Sequence, residues 1–287
     1  MYKIGASSMG PLMTDEGSNK LRMMSECGIS AMEISMGLSN YKELDYKKAA
    51  RDAKEYGIEL WSFHLPFEPF EQIDISSSDK DVRTDTLKIH KELITRAADI
   101  GIDKFVIHPS AEPIEDAQRE DAIKYSMQSL SELADFAAEK GAVIAVEDLP
   151  RSCLGNCSEE ILRLISANDK LRVCFDTNHL LKGNNAEFME KIGEKIITVH
   201  VSDYDFVNER HWLPGEGKLD WDMMVDGLEK IGYNGIWMYE IGLKTPKTIT
   251  RMRNITYKDF VDNANAVLNH KKPPFGGTPI PNLGMWA

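Results

Sequence analysis

The chain has 287 residues, of which 42% are hydrophobic, and a formal net charge of −12. This length and apolar content suffice for one large α/β domain or two ordinary domains. The negative charge argues against a basic surface that follows a nucleic-acid backbone, so a nucleic-acid partner is not expected. The four cysteines are too few and too scattered for a disulfide scaffold, which favours a reducing compartment.

The amino-terminal segment MYKIGASSMG lacks the basic stretch and the apolar run of a signal peptide. Nowhere in the sequence do about 18 apolar residues follow one another, as a membrane-spanning helix requires. We therefore expect a cytoplasmic protein with no membrane span.

A repeating pattern runs through the chain: an amphipathic stretch ends at a glycine or asparagine, and an apolar, β-branched run follows. YGIELWSFH, IGIDKFVIH and KGAVIAVED are examples. Glycine after a helix adopts the left-handed conformation that ends it, and the apolar runs are typical of strands buried on both faces. The clearest helix is DAIKYSMQSLSELADFAAEKG, with Ile123, Met127, Leu130, Ala134 and Ala137 at spacings of three or four.

In chain order the pattern predicts eight strands, near residues 2–6, 31–35, 58–64, 104–108, 142–147, 171–176, 196–201 and 235–240. Each strand is followed by enough chain for a helix. Eight parallel strands in a chain slightly longer than the usual ~250 residues predict a single-domain (β/α)8 TIM barrel over residues 1–268. An open doubly wound sheet is the alternative, which is disfavoured because GASSMGP lacks the glycine-rich phosphate fingerprint.

The last segment, 269–287, departs from this pattern. It is rich in proline and glycine and finishes with Met285 and Trp286. We expect an extended C-terminal arm that lies on the barrel or on a second subunit, with disorder as the alternative. Placement on a second subunit would make the protein a homo-oligomer.

Potential ligands collect at the carboxyl ends of the predicted strands, where (β/α)8 barrels carry their chemistry. A single such residue more often caps a loop or a helix than binds a metal. The joint pattern is stronger, because five of the seven histidines fall at or just after predicted strand ends. In strand order this rim carries His64, His108, Glu147, Asp176, His179, His200, Asp203 and Glu240.

Several carboxylates that converge in a closed pocket repel one another and raise their pKa values. A divalent cation removes that cost. Two glutamates, an aspartate and a histidine suit Mn²⁺, Mg²⁺, Co²⁺ or Zn²⁺, and the absence of cysteine ligands disfavours a purely structural zinc site. We therefore expect a divalent metal with Asp176 among its ligands.

These strand ends resemble those of the xylose isomerase-like (β/α)8 superfamily, in which sugar isomerases and epimerases share a fold with endonuclease IV-type apurinic endonucleases. In the ketose 3-epimerase branch, strands 5 to 8 supply the ligands of one divalent metal, and the matching residues here are Glu147, Asp176, His200 and Glu240. The resemblance implies that Glu147 and Glu240 also act as the catalytic acid and base. A substrate-binding glutamate of that branch is replaced here by Cys153.

The segment HVSDYDFVNERHWLPGEGKLDW resembles the loop after strand 7 of many sugar phosphate isomerase/epimerase-like proteins. It also resembles the endonuclease branch, where an Asp-Arg-His triplet supplies two ligands of a trinuclear zinc site. Here Glu209 replaces the aspartate of that triplet, so the carboxylate side chain is longer by one methylene. The resemblance implies substrate-binding or second-metal roles for His64, His108, His179, Asp203, Glu209, Arg210, His211 and Trp212.

The favoured function is therefore a metal-dependent isomerase or epimerase of a sugar, sugar phosphate or polyol. It would act through an enediolate, with two glutamates moving the proton. An inosose-type dehydratase would begin with the same proton removal. Two further functions are compatible with these residues: a zinc-dependent phosphoesterase or apurinic endonuclease, and a sugar-binding barrel without catalysis.

Overall fold

The structure, a computed structural model, describes residues 2–285 and contains a barrel of eight parallel strands. The predicted (β/α)8 TIM barrel is confirmed, and each strand lies within about two residues of its predicted bounds. The strands are β1 (Ile4–Ser7), β2 (Ala31–Ile34), β3 (Glu59–His64), β4 (Lys104–Ile107), β5 (Val143–Glu147), β6 (Arg172–Asp176), β7 (Ile196–His200) and β8 (Trp237–Tyr239).

The strands follow one another around the barrel in chain order, and β1 also pairs with β8. The remaining seam, between β7 and β8, is closed by a bridge at Val201 and Tyr239. There the Val201 amide donates to the Met238 carbonyl at 2.8 Å, and the Glu240 amide donates to the Val201 carbonyl at 3.3 Å. Because all eight strands are parallel, their carboxyl ends meet at one rim.

Helices cover the outside of the barrel, and several end as the sequence pattern indicates. Gly57 ends the helix α3 (Tyr46–Tyr56) in the left-handed conformation, with φ of 67°. The apolar face predicted for the helix α5 (Arg119–Glu139) is buried at Ile123, Leu130 and Ala134. No helix within residues 2–285 is long and apolar enough to cross a bilayer. The helices are α1 (Lys20–Glu26), α2 (Leu38–Glu43), α3 (Tyr46–Tyr56), α4 (Lys80–Ala98), α5 (Arg119–Glu139), α6 (Ser158–Ile165), α7 (Asn185–Ile192), α8 (Trp221–Lys230) and α9 (Tyr257–Val267).

A layer of mostly small side chains closes the inside of the barrel below the rim. Its buried members are Ala31, Val106, Ala145, Cys174 and Met238. Successive side chains of a strand point to opposite faces, so the residue two positions further on points the same way. That residue is polar in every case: Glu33, His108, Glu147, Asp176 and Glu240. The polar side chains therefore form the next layer towards the rim, on an apolar floor.

The C-terminal arm lies on the rim of its own barrel. Strand β10 (Thr278–Pro279) pairs antiparallel with β9 (Ile249–Thr250), which follows β8 in the chain. Further along, the Gly284 carbonyl accepts from the Arg210 guanidinium at 2.8 Å. Trp286, at the end of the predicted arm, lies outside the described residues. The arm thus covers the loop between β7 and α8.

Candidate active site

A cavity of about 520 Å³ opens at the carboxyl ends of the strands. One wall is apolar and includes Met36, Phe67 and Phe70. The lining is otherwise largely polar, and of the residues predicted from the sequence it contains His64, His108, Glu147, His179, Glu209, His211 and Glu240. The cavity therefore combines an apolar wall with a dense set of potential ligands, as small-molecule sites commonly do.

Glu147 lies at the centre of this polar surface and is 1% exposed. Its Oε1 atom is 2.9 Å from His200 Nδ1. Its Oε2 atom is 3.1 Å from His64 Nε2 and 3.2 Å from His108 Nε2. A single carboxylate thus joins side chains from strands β3, β4 and β7, which are far apart in the sequence.

Glu147, Asp176, His200 and Glu240 together form a group whose ligand atoms all lie within 4.8 Å of one another. His200 Nδ1 is 3.5 Å from Glu240 Oε2 and 3.8 Å from Asp176 Oδ2. Asp176 Oδ2 is buried and has no hydrogen-bond partner. A buried carboxylate oxygen without a donor is costly, and a cation would satisfy it. This donor set and this orphaned oxygen fit a divalent metal ion.

The pKa values of these acids diverge. Burial by itself would raise the pKa of Glu147, but the charge of His200 and hydrogen bonds from the surrounding histidines hold it well below its usual value. Burial raises the pKa of Asp176 well above its usual value, and the nearby charges of Glu240 and Glu147 act in the same direction. Neighbouring carboxylates with opposite shifts are typical of functional sites.

A second group consists of His64, His108 and Glu147. Burial would lower the pKa of His64, but its hydrogen bond to Glu147 and the nearby charges of Glu147, Glu33 and Glu240 together outweigh this effect and raise the pKa to about 9. Burial lowers the pKa of His108 despite a similar hydrogen bond to Glu147. Phe67 stacks on the His108 ring with a centroid distance of 4.1 Å, which fixes the orientation of that ring.

A third group consists of His179, Glu209 and His211. His179 Nε2 lies 3.2 Å from Glu209 Oε2 and 3.6 Å from Asp176 Oδ2, so this group adjoins the four-residue group. His211 Nδ1 is 3.0 Å from the Glu240 carbonyl oxygen. The backbone of His211 adopts a positive φ of 48°, which non-glycine residues seldom do and which is often found at functional sites.

The structure does not bring Asp203, Arg210 and Trp212 to the cavity, although the sequence placed them with the site. Arg210 pairs with Asp205 at 2.9 Å and points towards the C-terminal arm. Trp212 is fully buried, and its Nε1 donates to Thr248 Oγ1 at 2.9 Å. These two side chains hold the loop between β7 and α8 in place.

The carboxylate of Asp203 organises the same loop from within. Its Oδ2 accepts hydrogen bonds from the amides of Gly215 (2.8 Å) and Gly217 (3.0 Å), and from Trp221 Nε1 (2.9 Å). A Cβ atom at Gly217 would overlap this carboxylate. The PGEGKLDW stretch is therefore the scaffold that presents Glu209 and His211, because its glycines and its tryptophan all converge on Asp203.

Glu33, which the sequence pattern did not predict as a site residue, lies behind His200. The Nε2 atom of His200 is 3.0 Å from both carboxylate oxygens of Glu33, and Ser62 Oγ donates to the same carboxylate at 2.8 Å. Because a carboxylate accepts, Nε2 carries a hydrogen, and Nδ1 is the nitrogen that faces the ligand group, 2.9 Å from Glu147 Oε1. The available signal was a single acid inside the apolar strand AMEI.

A second set of side chains that the sequence did not predict links three loops at the rim by hydrogen bonds. Arg151, after β5, donates to Glu112 after β4 and to Glu209 after β7. Arg151 has φ of 52°, again in the left-handed region. A sequence offers no signal for this set, because loop residues carry no periodicity that would bring them together.

The family model described as "Xylose isomerase-like TIM barrel" matches residues 21–255, most of the chain. The chain belongs to the xylose isomerase-like TIM barrel family. It is 28% identical over 246 residues to an uncharacterized protein of Methanocaldococcus jannaschii, with 82% of each chain covered. It is 27% identical over 172 residues to an inosose isomerase of Bacillus subtilis, which covers 54% of this chain and 62% of that one.

Among solved structures, a D-tagatose 3-epimerase-like protein superposes with a TM-score of 0.77 and 25% sequence identity. The superposition covers 93% of this chain and 98% of that protein. This likeness extends over the barrel and confirms the predicted resemblance to the sugar isomerase and epimerase branch of the family.

Proposed function

We propose that this protein is a divalent-metal-dependent isomerase or epimerase of a sugar or polyol. The observation that carries the proposal is the convergence of Glu147, Asp176, His200 and Glu240 below a cavity of about 520 Å³, with Asp176 Oδ2 buried and unpaired. The names of the inosose isomerase and the D-tagatose 3-epimerase-like protein support a carbonyl-containing polyol as substrate.

In this proposal the four residues hold the metal, which when bound polarises the substrate carbonyl and acidifies the adjacent C–H. Glu147 and Glu240 come from strands β5 and β8, so they approach the substrate from different sides of the barrel. One removes the proton and the other returns it, to the opposite face or to the neighbouring carbon.

His179 and His211 have a different part in the proposal. Both line the cavity on the side of Glu209. Their ring nitrogens would bind substrate hydroxyls and set which carbon faces the two glutamates. The apolar wall at Phe67 and Phe70 would exclude water from the reacting carbon.

The experiment is to measure metal content per chain by elemental analysis in the wild type, Glu147→Gln and His211→Ala, all purified without chelators. We expect close to one divalent ion in the wild type, loss of that ion in Glu147→Gln and retention in His211→Ala. Exchange of solvent deuterium into candidate ketoses and inososes should accompany metal loading. A wild-type protein that binds no metal after dialysis against Mn²⁺, Mg²⁺, Co²⁺ and Zn²⁺ would refute the proposal.

The second and third ligand groups favour one other candidate, a metal-dependent phosphoester hydrolase. Glu209 Oε2 lies 3.2 Å from His179 Nε2, although the side chain is one methylene longer than an aspartate, and in this candidate His179, Glu209 and His211 would hold a further ion. Two or three zinc ions per chain, partly lost in His211→Ala, together with hydrolysis of an abasic-site oligonucleotide, would support that candidate.

A further inference from the structure

Carboxylates outnumber guanidinium and ammonium groups among the side chains that line the cavity. Arg151 is the one lysine or arginine among the described residues that line it. The carboxylates of the lining belong to Glu68, Glu112, Glu147, Glu209 and Glu240.

Acidic side chains of the protein already hold Arg151. Its Nε donates to Glu112 Oε1 at 2.9 Å and its Nη2 to Glu112 Oε2 at 2.7 Å, which is a two-pronged pair. Its Nη1 donates to Glu209 Oε1 at 2.7 Å and to Asn208 Oδ1 at 2.8 Å. The side chain is 13% exposed. A phosphate or carboxylate of a ligand would have to displace Glu112 to reach the guanidinium fork.

The same surface suits a ligand with many hydroxyl groups and no charge. Hydroxyls donate to carboxylate oxygens, and the cavity presents those of Glu112, Glu209 and Glu240. The C–H face of a sugar or cyclitol packs well on aromatic and methionine side chains, which Phe67 and Met36 provide. The carboxylates and the apolar side chains of the lining therefore both fit a neutral polyol.

We infer that this site takes a neutral polyhydroxy ketone, aldehyde or cyclitol and discriminates against phosphate esters and sugar acids. Glu112 is the residue that sets this preference, because it occupies the guanidinium of Arg151. The inference rests on the proposed function, since it names the substrate class of the same site.

The first test probes the charge preference by isothermal titration of inorganic phosphate into the metal-loaded protein. Glu112→Gln weakens the two-pronged pair, so we expect it to bind phosphate at least about tenfold more tightly than the wild type. Glu115→Gln, an exposed residue of the same loop, is the matched control and should behave as the wild type. The gain should vanish in Glu112→Gln/Arg151→Gln. Should Glu112→Gln not fold, Glu112→Asp shortens the same contact. Phosphate binding by the wild type that equals that of the Glu112 variant would overturn the inference.

The second test separates this inference from the proposed function. Deuterium exchange is measured with D-tagatose and D-tagatose 6-phosphate, with D-ribulose and D-ribulose 5-phosphate, and with scyllo-inosose. We expect exchange only into unphosphorylated compounds. Faster exchange into a phosphorylated member of a pair would overturn the inference and leave the proposed function standing. No exchange into any compound, with the phosphate titrations as expected, would refute the proposed function and leave the charge preference standing.

Discussion

Glu33 lies behind His200, outside the lining of the cavity, and its carboxylate holds the ring with Nδ1 towards the ligand group. Its carboxylate fixes the hydrogen on Nε2, at 3.0 Å, and leaves Nδ1 directed at Glu147. Outer partners of this kind raise the basicity of a ligating histidine and restrict its ring. We therefore expect Glu33→Gln, which keeps an acceptor but removes the charge, to weaken divalent metal binding about tenfold.

Competition with a fluorescent chelator measures this affinity directly. The matched control is Glu43→Gln at the exposed end of α2, which should leave the affinity unchanged. A Glu33→Gln protein that folds and binds metal as tightly as the wild type would show that Glu33 only fills space behind the site.

His90 on α4 should make the stability of the protein depend on pH. Its Nε2 donates to the Pro66 carbonyl at 3.0 Å, and its Nδ1 is buried without a partner. Burial lowers the pKa of His90 to about 4, from 6.5 in an exposed histidine. As the pH falls from 6.5 to 4, His90 is therefore protonated in the unfolded chain but stays neutral in the folded chain. The contribution of neutral His90 to the free energy of unfolding is complete above pH 6.5 and is lost by about pH 4, a change of about 3 kcal/mol.

Urea unfolding at pH 7 and pH 4.5, in the presence of a chelator, measures this dependence. His90→Gln should lose less stability than the wild type between the two pH values, whereas the exposed His270→Gln should lose as much as the wild type. Equal losses in all three proteins would mean that His90 does not contribute to the acid sensitivity.

The sequence allowed the potential ligands at the strand ends to be predicted but not the residues that hold them. The ends of parallel strands converge whatever their distance in the chain, so the sequence could predict the group formed by Glu147, Asp176, His200 and Glu240. Glu33 was not, because its partner His200 is 167 positions away and the strand pattern does not indicate which side chains touch. Arg151 and Glu112 lie on loops, whose course no periodicity determines.

At the scale of elements, the loop between β7 and α8 depends on a single carboxylate. Burial raises the pKa of Asp203, and the hydrogen bonds from Trp221 and the loop amides oppose that rise. Asp203→Asn replaces one acceptor oxygen by an amide group that faces donors. We expect it to lower the free energy of unfolding by about 3 kcal/mol, since charged hydrogen bonds and the buried donors left unpaired each contribute.

Chemical denaturation of Asp203→Asn measures that loss, and Asp222→Asn, an exposed residue of α8, serves as the matched control. Metal content of the folded variant tests the two interpretations of Asp203. Retained metal agrees with a structural role. Unchanged stability combined with loss of the metal would instead indicate that Asp203 is part of the metal site, as the sequence suggested. The segment from Asp203 to Trp221 could be recognised in the sequence. The sequence could not show whether its acid and glycines form a scaffold for the loop or belong to a ligand site, because the same residue types occur in both.

At the scale of the whole molecule, the barrel follows from a local rule repeated eight times, whereas the arm does not. Helix, glycine and apolar run can each be recognised within a few residues, and chain-order pairing of parallel strands follows from right-handed crossovers. The arm binds through a two-residue strand, β10, and through backbone carbonyls such as that of Gly284. Such contacts depend on the course of the backbone and not on residue type. The sequence therefore could not decide whether the arm lies on its own barrel or on a second subunit.

The arm should stabilise the loop that carries Glu209 and His211 without stabilising the barrel. Arg251 and Glu216 form a fully buried ion pair at its base, and the Gly277 amide of the arm donates to Glu216 at 2.6 Å. Removal of residues 273–287 exposes that pair to water and takes away the Gly284 carbonyl that Arg210 binds. We expect hydrogen exchange of the amides of residues 205–219 to accelerate about tenfold or more, with exchange in the barrel strands unchanged. Mass-spectrometric hydrogen exchange on the full and shortened chains measures both regions at once. Acceleration throughout the barrel would show that the arm belongs to the cooperative core, and no acceleration in the loop would show that Asp203 suffices to hold it.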